Sequence, residues 1–183
     1  MYKLVEFRDD LDLSEFYSIA LDKGFTNNSS RKLLIDCFNN EREYNAWILY
    51  YNERAVGSVA AHSFPEMGEN SYRIAARTCV LTHLLPTNTL RTKNQIITHQ
   101  HVTSQFLIPI CINWAPKNSN LYITSNENTV GTQRLVHNIF APLMEQTGLM
   151  KRITELDYRN TRQTVWQLYP DKFLNDLNKY PRW

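Results

Sequence analysis

Cysteine is scarce in this chain, long apolar runs are missing, and charge of one sign never accumulates; each of these gaps removes a class of function. The 183 residues include three cysteines, Cys37, Cys79 and Cys111, which lie far apart and match no paired metal-ligand spacing. They read as reduced, mostly buried thiols in a cytoplasmic protein, and no metal site is predicted. Nowhere do about 18 apolar residues run together, so no membrane-spanning helix is expected. The opening MYKLVEFRDD carries no apolar segment behind a basic stretch. Secretion is therefore not expected, and the glycosylation-like triplets beginning at Asn27 and Asn28 carry no weight. Formal net charge is +2, from 20 Lys and Arg against 18 Asp and Glu. The basic residues are dispersed rather than gathered into an arm or stripe, which argues against a nucleic-acid partner. His99 and His101 are two residues apart and would point about 200° from each other on a helix, so they cannot chelate one metal as an i, i+4 pair does.

What is present is the composition of a globular protein, 43% apolar and 21% charged. No repeat, low-complexity tract or linker interrupts it, so one domain is expected across residues 1–183. Residues 2–8 form a strand candidate. Asp12 with Glu15 makes a capping-box start for a helix ending at Gly24, and Ser29 or Ser30 caps a second helix through Phe38. Ala46 to Tyr51 and Ala55 to Ser63 read as an antiparallel hairpin, followed by a polar Pro65–Ser71 loop. Tyr72–Leu85 is a long strand with Tyr72, Ile74, Ala76 and Val80 on one side and Arg73, Arg77 and His83 on the other. From Thr92, the residues Ile96, Thr103, Phe106, Ile110 and Trp114 recur at helical spacing, and Pro109 predicts a kink or split within that helix. Leu121–Ser125 is a short strand. A helix capped by Asn128 or Thr129 follows, with Leu135, Val136, Ile139, Phe140 and Leu143 inward and Gly148 as its stop. Lys151–Tyr158 and Gln163–Tyr169 form a second hairpin, with Trp166 and Tyr169 expected in the core, and Pro170 opens a short terminal helix with a tail. The predicted fold is α/β (α+β), a central mixed, mostly antiparallel sheet with helices on both faces, in the order β-α-α-β-β-β-α-β-α-β-β.

The most telling feature is that the Tyr72–Leu85 strand runs into the helix start RTKNQ, Arg91 to Gln95. The first amides of a helix lack internal partners and sit at the positive end of its dipole, so a phosphate or pyrophosphate is stabilised there. Together with the hairpin before it, this order resembles the GNAT family of acyl-CoA-dependent N-acyltransferases. The resemblance covers nearly the whole chain and lies in architecture more than in motif. The family's Q/R-x-x-G-x-G/A sequence falls on Arg91-Thr92-Lys93-Asn94-Gln95-Ile96, where only the arginine matches and both glycine positions are replaced.

The resemblance implies acetyl-CoA, or another acyl-CoA, as co-substrate. The RTKNQ backbone would wrap the pyrophosphate, with Arg91, Thr92, Lys93, Asn94, Gln95 and Arg134 as its partners. It also implies that the strand before this helix splays from its neighbour and offers backbone groups between Val80 and Leu85, namely Val80, Leu81, Thr82 and Leu84, to the pantetheine arm. Asn126 and Asn128 are candidates to bind cofactor or acceptor, or else to end the strand and cap the helix. The general base would be His62, His83 or Glu127, each expected near the open end of the sheet. The tyrosine that commonly protonates the departing thiolate in the family falls on Met144, which has no proton to give. The function expected is acetyl transfer to a primary amine by direct attack, with the acceptor unidentified and the protein a monomer or homodimer. A catalytically inactive GNAT-like module that binds CoA or a protein partner is the alternative.

Overall fold

The computed structural model describes residues 2–7, 42–51, 54–78, 106–126, 141–158 and 160–176. Seven strands form one sheet: β1 (Tyr2–Phe7), β2 (Tyr44–Tyr51), β3 (Arg54–Ser63), β4 (Ser71–Thr78), β5 (Asn120–Ser125), β6 (Met150–Tyr158) and β7 (Thr161–Leu168). Their spatial order is β1-β2-β3-β4-β5-β7-β6. Every neighbouring pair is antiparallel except β4 with β5, which run parallel. A parallel pair needs a crossover, and the segment between these strands includes helix α1 (Ile108–Trp114). Helices α2 (Ala141–Gln146) and α3 (Pro170–Asp176) complete the described elements. The predicted sheet is thus present, mixed and mostly antiparallel.

Alternation explains the first hairpin. Trp47 and Leu49 point to one face and Ala46 and Ile48 to the other, and all four are buried, so both faces of β2 are covered. β2 and β3 pair from Tyr44↔His62 to Tyr51↔Arg54, with a register shift at Leu49/Tyr50. The Pro65–Met67 segment, expected as plain loop, is a single 3-10 turn, closed by Gly68, whose N–H bonds the Pro65 carbonyl.

One core gathers residues from β2, β3, β4, β5 and β7, including Trp47, Val59, Tyr72, Ile74, Ile123 and Trp166, under Ile108 and Cys111 of α1, Ala141 and Met144 of α2, and Phe173 of α3. The described helices therefore share one face of the sheet. The helices expected over 12–24 and 29–38 lie outside the described residues. The opposite face carries a smaller cluster of Phe64, Tyr122, Tyr158 and Val165.

Pro109 stands in the first turn of α1, and Leu107 before it already has helical backbone angles (φ −77°, ψ −45°). Phe106 and Leu107 form a π-helical turn that leads directly into α1, so the helical course changes where the proline can donate no N–H, in keeping with the irregularity expected at Pro109. Two expectations about packing are overturned. Leu143 is 37% exposed, because Ala141 and Met144 set the inward face of α2 and Leu143 lies about 200° from Ala141 around the helix. Tyr169 is also 37% exposed, since β7 ends at Leu168 and the chain has left the sheet. Trp166, in contrast, is core.

Candidate functional site

The parallel ladder between β4 and β5 has four rungs, Ser71↔Asn120, Tyr72↔Leu121, Arg73↔Tyr122 and Ile74↔Ile123. Both strands continue past it. β4 stays paired with β3 as far as Thr78, and β5 with β7 as far as Ser125. Among the described residues no rung joins Ala75–Thr78 to Thr124–Ser125. The pairing forks there, each strand keeping its other neighbour, and the two facing edges carry no rung to each other. Backbone N–H and C=O groups along such edges favour an extended ligand that carries its own amides, which can add to them like a further strand.

Side chains hold the fork on both faces. On the core side, the buried Trp166 indole N–H donates to Ser125 Oγ at 2.9 Å, fixing the β5 arm to β7. On the opposite side, Arg73 Nε donates to Thr124 Oγ1 at 2.8 Å. The closed end is fixed separately. Arg42 grips Glu66 with two nitrogens, at 2.6 and 3.1 Å, and Tyr72 OH donates to Glu43 at 2.9 Å. Burial, and then the Glu43 carboxylate, raise the Tyr72 phenol above its ordinary value. Asn70 and Asn118 both adopt positive φ there, 53° and 64°, and the Asn70 amide donates to the Asn118 carbonyl, joining the two turns that feed β4 and β5.

Of the residues nominated from sequence, three are described. His62 pairs with Arg73 one rung inside the closed part of the ladder, not on the splayed arms. Its side chain is fully buried. Nδ1 lies 2.7 Å from the Ser63 carbonyl, which can only accept, so Nδ1 carries the proton and Nε2 accepts from Arg73 Nη1 at 3.4 Å. Asn126 follows directly on β5 at the open end and is 6% exposed. Met144 is 2% exposed and packs in the main core. Val80, Leu81, Thr82, His83, Leu84, Arg91, Thr92, Lys93, Asn94, Gln95, Glu127, Asn128 and Arg134 lie outside the described residues. Sequence reading missed Thr124 and Ser125 as fork residues; the hydroxyl pair at the end of an apolar strand was the available signal. Among the described residues no three His, Cys, Asp or Glu side chains converge to hold a metal ion, and no helix is long and apolar enough to cross a membrane.

No protein-family model matches the chain, and no curated protein matches it by sequence. Solved structures do match. An acetyltransferase from Streptococcus agalactiae aligns at a TM-score of 0.55 and 14% identity, over 92% of this chain and 98% of its own. The chain has the GNAT acyltransferase fold. A spermidine N-acetyltransferase from Vibrio cholerae, solved with CoA and spermine, is similar at 0.53 and 11%, over 95% and 98%. A ribosomal-protein-alanine N-acetyltransferase from Brucella melitensis is similar at 0.52 and 9%, over 91% and 98%. Each of these similarities covers more than nine-tenths of this chain.

Proposed function

We propose that this chain is one acyltransferase domain over residues 1–183, which transfers an acetyl group from acetyl-CoA to a primary amine in the cytoplasm. The observation that carries this reading is the fork: a parallel ladder that stops at Ile74↔Ile123 while both strands run on. The Vibrio cholerae neighbour, solved with CoA and spermine, supports a CoA-type co-substrate and an amine acceptor. In this reading the helix start at Arg91, Thr92, Lys93, Asn94 and Gln95, with Arg134, holds the pyrophosphate. Backbone at Val80, Leu81, Thr82 and Leu84, with Asn126 and Asn128 across the gap, lines the pantetheine arm.

The amine nitrogen attacks the thioester carbon, the C–S bond breaks, and the proton lost by nitrogen passes to a base. His83 and Glu127 are the proposed bases. His62 keeps its place in the hydrogen-bonded cluster with Arg73, because both of its ring nitrogens are engaged. Met144 gives no proton, and a thiol with an ordinary pKa near 8.5 leaves tolerably as thiolate near neutral pH. Proximity and aligned backbone amides supply the rest.

The test is calorimetry with CoA on the wild type and on Arg91→Ala/Lys93→Ala, followed by acetyl-transfer assays on polyamines, amino acids, peptide amino termini, lysine side chains and an aminoglycoside. The double variant is expected to bind CoA more weakly by about 1–3 kcal/mol, with residual affinity from the helix amides. Unchanged affinity removes Arg91 and Lys93 from the site. A second reading, a non-catalytic CoA-binding or protein-interaction module, is favoured by Met144 at the position of the family's acid; CoA binding without transfer to any of the five amine classes would establish it.

A further inference from the structure

Arg73 occupies a position that the transfer chemistry does not explain. It is rooted in β4 one rung inside the closed ladder, and its side chain lies on the face opposite the main core. From there the guanidinium reaches partners on three other strands: Nε bonds Thr124 Oγ1 of β5 at 2.8 Å, Nη1 lies 3.4 Å from His62 Nε2 of β3, and Cζ sits 5.0 Å from the centre of the Tyr158 ring of β6. Those partners are themselves fixed. His62 donates to the Ser63 carbonyl, and Phe64 meets His62, Tyr122 and Tyr158 edge-on with ring centres 6.3, 6.2 and 5.3 Å away. Thr124 is the first residue of β5 beyond the last rung, so the 2.8 Å bond spans the crotch of the fork.

We propose that Arg73 is a positioning residue: through Thr124 it fixes where the β4–β5 fork begins, and so how deep the reacting end of an extended acyl thioester seats. This rests on the acyltransferase reading. Neighbouring strands lie about 4.8 Å apart, so an inserted chain needs roughly twice that between the arms. A tie at Thr124 holds the arms too close for insertion at the crotch and stops the ligand one residue short of it. Loosening the tie lets β5 drift from β4 and misplaces the thioester carbon, and an error of about 1 Å there can cost about a hundredfold in rate. Lysine is a poor replacement. It carries the charge without the planar fork that serves Thr124 and His62 together while stacking over Tyr158.

Thr124→Val, which keeps the side-chain shape and removes the acceptor oxygen, and Arg73→Lys are the test variants. In ligand-free protein, amide hydrogen exchange at Thr124–Asn126 is expected to quicken about tenfold in Thr124→Val while Leu121–Ile123 stays as in wild type, the scale of one charge-assisted hydrogen bond. With acetyl-CoA and an accepted amine, kcat is expected to fall at least about tenfold in both variants with KM for acetyl-CoA within about twofold. Unchanged exchange in both variants overturns the tie. Faster exchange with unchanged kcat overturns the positioning role and leaves Arg73 purely structural. A wild type that transfers no acyl group overturns the acyltransferase reading, and the positioning role with it, while the exchange data still decide whether the tie exists.

Discussion

The end of α2 permits a substitution whose cost can be divided between two mechanisms in advance. Gly148 has φ +73°, its N–H bonds the Glu145 carbonyl at 2.9 Å, and the Leu149 N–H bonds the Met144 carbonyl at 2.8 Å. This is a Schellman ending, completed by apolar Met144 and Leu149, which are both in the core. A β-carbon added at Gly148 would lie 2.6 Å from Lys172 Nζ and 3.6 Å from its Cε. That contact is with the tip of a flexible side chain, which can swing away at little cost. The left-handed backbone cannot be relieved in the same way and costs an L residue about 1–2 kcal/mol. Gly148→Ala is therefore expected to lower unfolding free energy by about 1–2 kcal/mol, or about 2–8 °C in melting temperature for a chain of this size. Gly148→Asn should cost less, because asparagine tolerates this conformation better. Adding Lys172→Ala to Gly148→Ala should restore under about 0.5 kcal/mol, the usual limit of non-additivity for uncoupled sites. Urea unfolding of the four proteins with a shared m-value gives all of these numbers. A neutral Gly148→Ala, or full recovery on removing Lys172, would refute the backbone explanation.

Three further outcomes follow from the same geometry. Ser125→Ala leaves the buried Trp166 indole N–H without this acceptor and is expected to cost about 1–3 kcal/mol, while a double-mutant cycle with Trp166→Phe should give a coupling of about 0.5–1.5 kcal/mol by urea unfolding. Burial and Glu43 raise the Tyr72 phenol above 10.0, so its contribution to stability is complete below pH 10.0 and is lost as pH rises through the higher folded value. Tyr72→Phe is therefore expected to flatten the loss of stability that sets in as pH rises above about 10, read in denaturant titrations. Met144→Tyr, at a core position only 2% exposed, is expected to lower stability by about 1–3 kcal/mol and to change turnover by less than about tenfold at neutral pH, read from melting curves and from acetyl transfer.

The fold was legible wherever a residue's local pattern and its tertiary fate agreed. Alternation and short connections gave both hairpins, and a helix between two apolar strands gave the parallel pair, because a crossover permits little else. Where β7 lies was not legible. β6 and β7 form an equally good hairpin with either strand against β5, and the choice follows from burial that only the assembled sheet reveals. Val165, Trp166 and Leu168 are buried on β7, whereas Lys151 through Glu155 are exposed on β6. Leu143 was misread for a related reason: periodicity ranks apolar side chains, but Ala141, small and fully buried, decided which face turned inward. The site was legible as an architecture and less so as chemistry. Arg73 was recognisable as a polar residue facing away from the core side of its strand, yet its partners Thr124, His62 and Tyr158 stand 11 to 85 positions away and no spacing rule links them.

The insertion of β7 between β5 and β6 also governs how the sheet can be completed during synthesis. β5 emerges with Leu121, Tyr122 and Ile123 ready for burial, but its outer neighbour begins only at Thr161. β6 is made first and cannot stand in, since its partner is β7. Until β7 arrives, the outer edge of β5 is an unpaired apolar strand edge, the feature that recruits other chains. The final hairpin must then close locally and dock as a unit, a long-range step that is slow compared with forming the hairpin itself. A nascent chain that pauses or terminates before Thr161 therefore exposes an aggregation-prone edge at the very strand that forms one arm of the fork.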